Sequence, residues 1–254
     1  MKNSDEKLLE ILLDLKNNHN VISVKTEFET EGTSFDEAKE LQKLVEIANL
    51  PFTTKIGGCG ALNDIYQAKK LNSKSIIAPM IETEYALKKF VQTIKKIYST
   101  EEIKNIKLFI NIETITGYKN LKEIINSNDF TIIDGIVLGR NDLISSMNLN
   151  KKDVNSEKIL EIASTIAIEM EKQNKTLIIG GCVDENSIDF FNKISSKSFK
   201  AFETRKIVFK KEREISKKSI QKAIEFELVW LENKKNKTSF DLERIKHLET
   251  LFIK

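Results

Sequence analysis

The sequence predicts an α/β fold, a (βα)8 TIM-type barrel with extra helices at its ends, and three observations lead there. Short β-branched runs alternate with longer amphipathic stretches along the whole chain. The tetrapeptide IGGC occurs twice, at 56–59 and 179–182. Most of the nine glycines fall just after the apolar runs. Strict alternation of strand and helix patterns leaves an open doubly wound sheet or a closed barrel. The repeat favours closure, because its copies fall on the second and sixth apolar runs, 123 residues apart, as half-barrel pseudosymmetry requires.

In chain order, VISV (21–24), FTT (52–54), SIIA (75–78), LFINI (108–112), GIVLG (135–139), TLIIG (176–180) and KAF (200–202) read as strands. Continuous apolar runs of this length suit strands covered on both faces. Helices lie between them. SFDEAKELQKLVEIA opens with a capping box, Ser34 to Glu37, and TEYALKKFVQTIKKIY and SEKILEIASTIAIEMEKQ step their apolar residues by three and four. SIQKAIEFELVWLE and SFDLERIKHLETLF follow FETRKIVF as terminal helices. Seven strands are convincing, so the eighth is expected to be short or the barrel irregular. With no low-complexity linker, the chain reads as one domain, 1–254, with a helical extension from about 215 to 254. Ile220, Ile224, Leu228 and Leu231 stripe the first terminal helix, and Phe240, Ile245, Leu248 and Phe252 mark the second. A barrel needs one helix after its last strand, so one stripe is expected to pack on a neighbouring subunit of a homo-oligomer.

Composition excludes several functions. The 254 residues carry 41 Lys/Arg against 38 Asp/Glu, a net charge of +3 that makes no case for nucleic acid. From Arg205 onward basic residues lead acidic ones by 14 to 8, which suits the solvated face of terminal helices. No apolar run approaches the roughly 20 residues of a spanning helix, so no membrane is expected. The opening MKNSDEKLLEILLDLKNN is charged and amphipathic, unlike a signal peptide; with only two cysteines, a reducing, cytoplasmic setting is expected. Cys59 and Cys182 would sit across the barrel mouth, too far apart for a disulfide, and read as small packing residues.

The active site of such a barrel lies at the C-terminal ends of its strands, and those ends are polar here. Lys25, Glu27 and Glu29 share one face of VKTEFE by the period of two. Lys55 ends the second strand, APMIE the third, and Glu113 tips the fourth. GRND after the fifth brings Arg140 and Asp142, and FETR brings Glu203 and Arg205. Like charges converging on one mouth need a ligand or ion to balance them. Glu113 and Asp142 could offer carboxylate oxygens to Mg²⁺ or Mn²⁺, or could pair with Arg140 or Lys55.

LFINIETITGYKNLKEIINSNDFTIIDGIVLGRNDLISSMNL (108–149) resembles the central segment of the HpcH/HpaI aldolase and citrate lyase β-subunit family, in the pyruvate kinase-like barrel superfamily; SIIAPMIETEYALKKF (75–90) resembles its preceding strand and helix. The resemblance implies a carbon–carbon lyase acting through a pyruvate-type enolate on a 2-oxo acid or related organic acid. It implies Glu113 and Asp142 as ligands of Mg²⁺ (or Mn²⁺) and Lys55 as the residue facing the keto oxygen. From their places at the strand ends, Lys55, Glu27 and Arg205 are expected to be catalytic and Gly139, Arg140, Asn141 and Met80 to bind substrate. An acyl-CoA is a further substrate class to test.

Two departures bear on mechanism. Lys55 stands where the family has an Arg aimed at the keto oxygen, supplying charge without a planar fork. The family's early-strand His is missing; His19 and His247 fall in terminal helices and are expected not to serve, leaving Glu27, Glu29 or a metal-bound water as base. The rival readings are a non-catalytic or assembly protein that keeps the barrel, and a Schiff-base aldolase using Lys55 or Lys25 as nucleophile.

Overall fold

Each of the seven apolar runs becomes a strand in the computed structural model, which describes residues 3–212 and 214–252, the side chains of Asn3, Ser4 and Phe252 excepted. They are β1 (Val21–Glu27), β2 (Phe52–Lys55), β3 (Ser75–Ala78), β4 (Lys107–Ile112), β5 (Gly135–Gly139), β6 (Thr176–Gly180) and β7 (Phe199–Glu203), and each pairs in parallel with the next. An eighth strand, β8 (Ile207–Lys210), closes the barrel by pairing antiparallel with both β7 and β1. This is the expected irregularity. IVFK did not register as a separate strand because only Thr204–Lys206 divides it from β7. A parallel crossover needs a dozen or more residues, so a connection this short can only make a hairpin. Thr204 fastens it: its N–H donates to the Ile207 carbonyl at 2.9 Å, and its Oγ1 accepts from the Ile207 N–H at 3.2 Å.

The helices in order are α1 (Asn3–Asn18), α2 (Phe35–Ile47), α3 (Leu62–Lys70), α4 (Glu84–Ile97), α5 (Thr100–Ile103), α6 (Ile115–Lys119), α7 (Leu121–Asn126), α8 (Arg140–Ser146), α9 (Glu157–Lys172), α10 (Ser187–Asn192), α11 (Lys217–Asn233) and α12 (Ser239–Phe252). Ser34 and Glu37 form the expected capping box at the start of α2. Among the described residues no helix is long and apolar enough to cross a membrane.

The main core lies between sheet and helices, and a second, smaller one fills the barrel with Ile77, Phe109, Val137, Ile178, Ala201 and Val208. Strand alternation then decides what sits above that plug. Two residues beyond the plug, at Asn111 on β4 and Glu203 on β7, the inward positions become polar, and with Lys25 of β1 and Lys55 of β2 these side chains form the floor of the mouth.

The terminal helices stay within the chain. α11 packs on α1 and buries Ile220, Ile224 and Leu231, so these three offer no free face to a second copy. α12 buries Leu248 and packs on α11, while the side chain of Phe252 lies outside the described residues. The IGGC copies do follow β2 and β6, but out of step: Gly57 lies beyond the end of β2, whereas Gly180 is the last residue of β6.

Candidate active site

A cavity of about 520 Å³ opens at the C-terminal ends of the strands and is walled on one side by α12. Lys25, Lys55, Asn111, Glu113 and Glu203 make its floor, all of them buried. Glu113 follows Phe109 and Asn111 along the inward face of β4, so it crowns the apolar plug. Room for it comes from β5, where a Cβ at Gly139 would lie 2.7 Å from both the Cβ and an oxygen of Glu113. Gly180, paired with Gly139 across β5 and β6, leaves space for Glu203 in the same way, at 2.9 Å.

One ammonium stands among three carboxylates. Lys55 Nζ is 2.8 Å from Glu29 Oε2, 3.4 Å from Glu113 Oε2 and 3.5 Å from Glu27 Oε1. Burial works against the charge on Lys55, but Glu113, Glu27 and Glu29 together outweigh it and raise its pKa. Burial also opposes ionisation of Glu27, yet Lys55, Lys25 and Arg205 overcome that and lower its pKa to about 2. Glu113 goes the other way. Its Oε1 accepts from the Met80 N–H at 2.9 Å and its Oε2 from Asn111 Nδ2 at 2.7 Å, but it is 2% exposed and burial dominates, so its pKa is raised. A single ammonium cannot balance three carboxylates, and the most deeply buried of them is the one left reluctant to ionise. Lys25 and Glu203 form a second pair beside the first.

Asp142, half-buried in the first turn of α8, lines the same cavity with Gly139 and Asn141, and Arg205 enters it from the β7–β8 turn. Asn141 Nδ2 donates to Asp142 Oδ1 at 3.2 Å. Lys55, Glu27, Arg205, Glu113 and Asp142 are thus brought together, with Gly139 and Asn141.

Two of the residues expected to bind substrate stand apart. Met80 serves Glu113 through its backbone N–H, while its side chain is largely exposed and does not line the cavity. Arg140 is fully buried behind the wall. It donates to the carbonyls of Gly180 at 3.1 Å and Gly181 at 3.0 Å, to Asn155 Oδ1 at 2.6 Å and to Ser187 Oγ at 3.2 Å, and lies over the Phe190 ring. Its role here is to hold the loop after β6.

The structure also adds residues. Asn111 is two positions before Glu113 on one strand face, a signal present in the alternation. Arg244 and His247 line the cavity from α12, so the expectation that a terminal histidine cannot approach the site is corrected. No local pattern reveals this, because it depends on α12 turning toward the mouth. The His247 pKa is lowered, chiefly by burial and then by Arg244 and Lys151. Cys59 packs against the core, but Cys182 is exposed at the cavity wall, with its Sγ 3.2 Å from Asn141 Oδ1, so the packing reading holds only for the first.

Among the described residues no three of His, Cys, Asp and Glu cluster as a metal cage. The donors that are present still suit a hard cation. Glu113 and Asp142 supply carboxylates, and Asn111 Oδ1 is a buried oxygen without a hydrogen-bond partner in the same cavity. Mg²⁺ and Mn²⁺ take few protein oxygens and complete their shell with water or substrate.

Residues 60–191, just over half the chain, match the family model described as HpcH/HpaI aldolase/citrate lyase. No curated protein matches the sequence. Similar solved structures include an HpcH/HpaI aldolase from Desulfitobacterium hafniense DCB-2, with TM-score 0.61 at 10% identity over 80% of this chain and 82% of that one. The citrate synthase SbnG gives 0.59 at 15% identity over 78% and 81%. An HpcH/HpaI aldolase/citrate lyase family protein from Burkholderia cenocepacia J2315 gives 0.61 at 10% over 79% and 83%. At such identities these structures speak to the fold.

Proposed function

The chain belongs to the HpcH/HpaI aldolase/citrate lyase family of carbon–carbon lyases, and from that premise we propose that it is a divalent-metal-dependent lyase or aldolase acting on a 2-oxo acid or related organic acid through a pyruvate-type enolate. The observation that carries this reading is the meeting of Glu113, Asp142 and Lys55 in one cavity at the barrel mouth. In this proposal Glu113 and Asp142 hold Mg²⁺ or Mn²⁺, with the Asn111 amide oxygen beside them. A divalent cation bound there supplies Lewis-acid charge to the keto and carboxylate oxygens of the substrate.

Lys55 has the second role. Its neighbours keep it charged, so it presents fixed positive charge where negative charge grows on the keto oxygen as the bond breaks or forms. Glu27, with a pKa near 2, is too weak a base to take a proton efficiently. Its work is to hold Lys55 and Lys25 in place. Gly139 and Asn141 line the wall beside Asp142 and would face the substrate carboxylate. The raised pKa of Lys55 runs against a Schiff-base mechanism, which needs a lysine that gives up its proton.

A thermal-shift screen of 2-oxo acids, acyl-CoAs and phosphorylated sugar acids, with and without Mg²⁺ or Mn²⁺, tests the proposal. It is supported if a 2-oxo acid stabilises the protein only in the presence of metal. Stabilisation by no organic acid in either condition would count against it.

A further inference from the structure

The proposed chemistry uses only the floor of the cavity. Ligand pockets of roughly 300–1,000 Å³ enclose molecules far larger than a pyruvate unit, and this cavity continues outward from Glu113 and Asp142 to the inner face of α12. The outer wall carries Arg205, Arg244, Lys151 and His247.

Arg205 is the notable member. Its guanidinium lies over the Phe240 ring at 5.1 Å, a cation–π contact that helps to hold it in place. Its Nε stands 3.8 Å from Glu227 and 4.0 Å from Glu31, close enough for attraction and too far for a hydrogen bond. Among the described residues this side chain donates no hydrogen bond, although it is three-quarters buried, with 25% of its surface exposed. Glu227 takes Arg244 on both oxygens, at 2.7 and 2.9 Å, and Glu31 takes Lys206 on Oε2, while its Oε1, the oxygen nearest Arg205, accepts no hydrogen bond. Lys151 has no ion-pair partner among the described residues. Lining the cavity on this side, Arg205, Arg244 and Lys151 stand against Glu227, Glu243 and Asp184, so the positive charge available to a ligand is that of the side chains least engaged by these carboxylates, Arg205 and Lys151.

We infer that the α12 side of the cavity is a subsite for a second anionic group of the substrate, a carboxylate or a phosphoryl-type group, received by the two-pronged face of Arg205 with Arg244 and Lys151 beside it. This makes Arg205 a binding residue and narrows the substrate to a 2-oxo acid with an anionic far end. The inference rests on the proposed function, in that the keto-acid end sits at Glu113, Asp142 and Lys55. A guanidinium held against an aromatic ring and free of hydrogen bonds is suited to a planar or tetrahedral anion.

The test is calorimetric titration of pyruvate, 2-oxoglutarate and 3-phosphonopyruvate, in excess Mg²⁺, into the full chain and its Arg205→Gln and Lys151→Gln variants. The quantity read is the affinity ratio of each doubly anionic acid to pyruvate. In the unaltered protein at least one ratio is about tenfold or more, the increment of a charge-assisted, two-pronged contact. It falls toward one in Arg205→Gln and by a smaller factor in Lys151→Gln. Which acid gains identifies carboxylate or phosphoryl as the preferred group. A ratio near one in the unaltered protein, or a ratio unmoved in an Arg205→Gln variant with unchanged circular dichroism, overturns the subsite. Should Arg205→Gln fail to fold, the exposed Lys151→Gln decides: an unchanged ratio counts against the subsite. A ratio that survives in excess EDTA keeps the subsite and overturns the metal reading. No binding by any of the three acids overturns both.

Discussion

Lys55 Nζ lies 3.4 Å from Glu113 Oε2 inside the barrel, and the same ammonium serves Glu27 and Glu29. Removing it strands three carboxylates that are mostly or wholly withdrawn from water. Lys55→Met is expected to cost about 3 kcal/mol in urea unfolding at neutral pH, the scale for breaking a buried ion pair. The loss should shrink as pH falls, because the stranded carboxylates then protonate. Turnover should drop by about a hundredfold or more, as the charge facing the developing oxyanion is gone.

Glu27 makes stability depend on acidity. Its pKa falls from 4.5 to about 2 on folding, so its contribution is fully present above 4.5 and is lost as pH drops through about 2. The contribution is on the order of 3 kcal/mol. Unfolding free energy measured from neutral pH down to about 2 should decline across that window, and Glu27→Gln should flatten the decline. An unchanged slope in the variant would contradict the placement of Glu27 between Lys25 and Lys55.

Gly139 is required for space. Its missing Cβ would stand 2.7 Å from Glu113. Gly139→Ala should cost about 1–3 kcal/mol through overpacking and weaken metal-dependent ligand binding by displacing that carboxylate. Denaturation and calorimetry on the same variant check both effects.

Arg140 has a structural signature. Its guanidinium satisfies the Gly180 and Gly181 carbonyls, Asn155 and Ser187. Arg140→Met should leave these acceptors unpaired and lower stability by about 2–4 kcal/mol. Direct binding of substrate by Arg140 would instead show as lost affinity with unchanged unfolding.

Much of the fold could be read from the chain because parallel barrel strands are apolar on both faces and stand out as runs. β8 was lost because it is four residues long and follows β7 after only three, with no helix pattern between them to mark it as a separate strand. Glu113 and Asp142 were legible from the segment 108–149, and Lys25, Glu27 and Lys55 from alternation along short strands. Arg140 was misplaced because an arginine at a strand end looks the same in sequence whether it faces the cavity or the packing behind it. His247 and Arg244 were missed for a different reason. Their position depends on how α11 and α12 turn after the barrel closes, through contacts such as Arg244 with Glu227, 17 residues away.

The central claim is that Glu113 and Asp142 together hold a divalent cation on which 2-oxo acid binding depends. Isothermal titration of a 2-oxo acid, in excess Mg²⁺ and again in excess EDTA, tests it most directly when run on the unaltered chain and on Asp142→Asn. The account expects binding with Mg²⁺, none in EDTA and none by Asp142→Asn in either condition, with the variant's circular dichroism unchanged because Asp142 sits at an open mouth and adds little to the core. Equal binding in EDTA, or normal binding of metal and acid by Asp142→Asn, would contradict it.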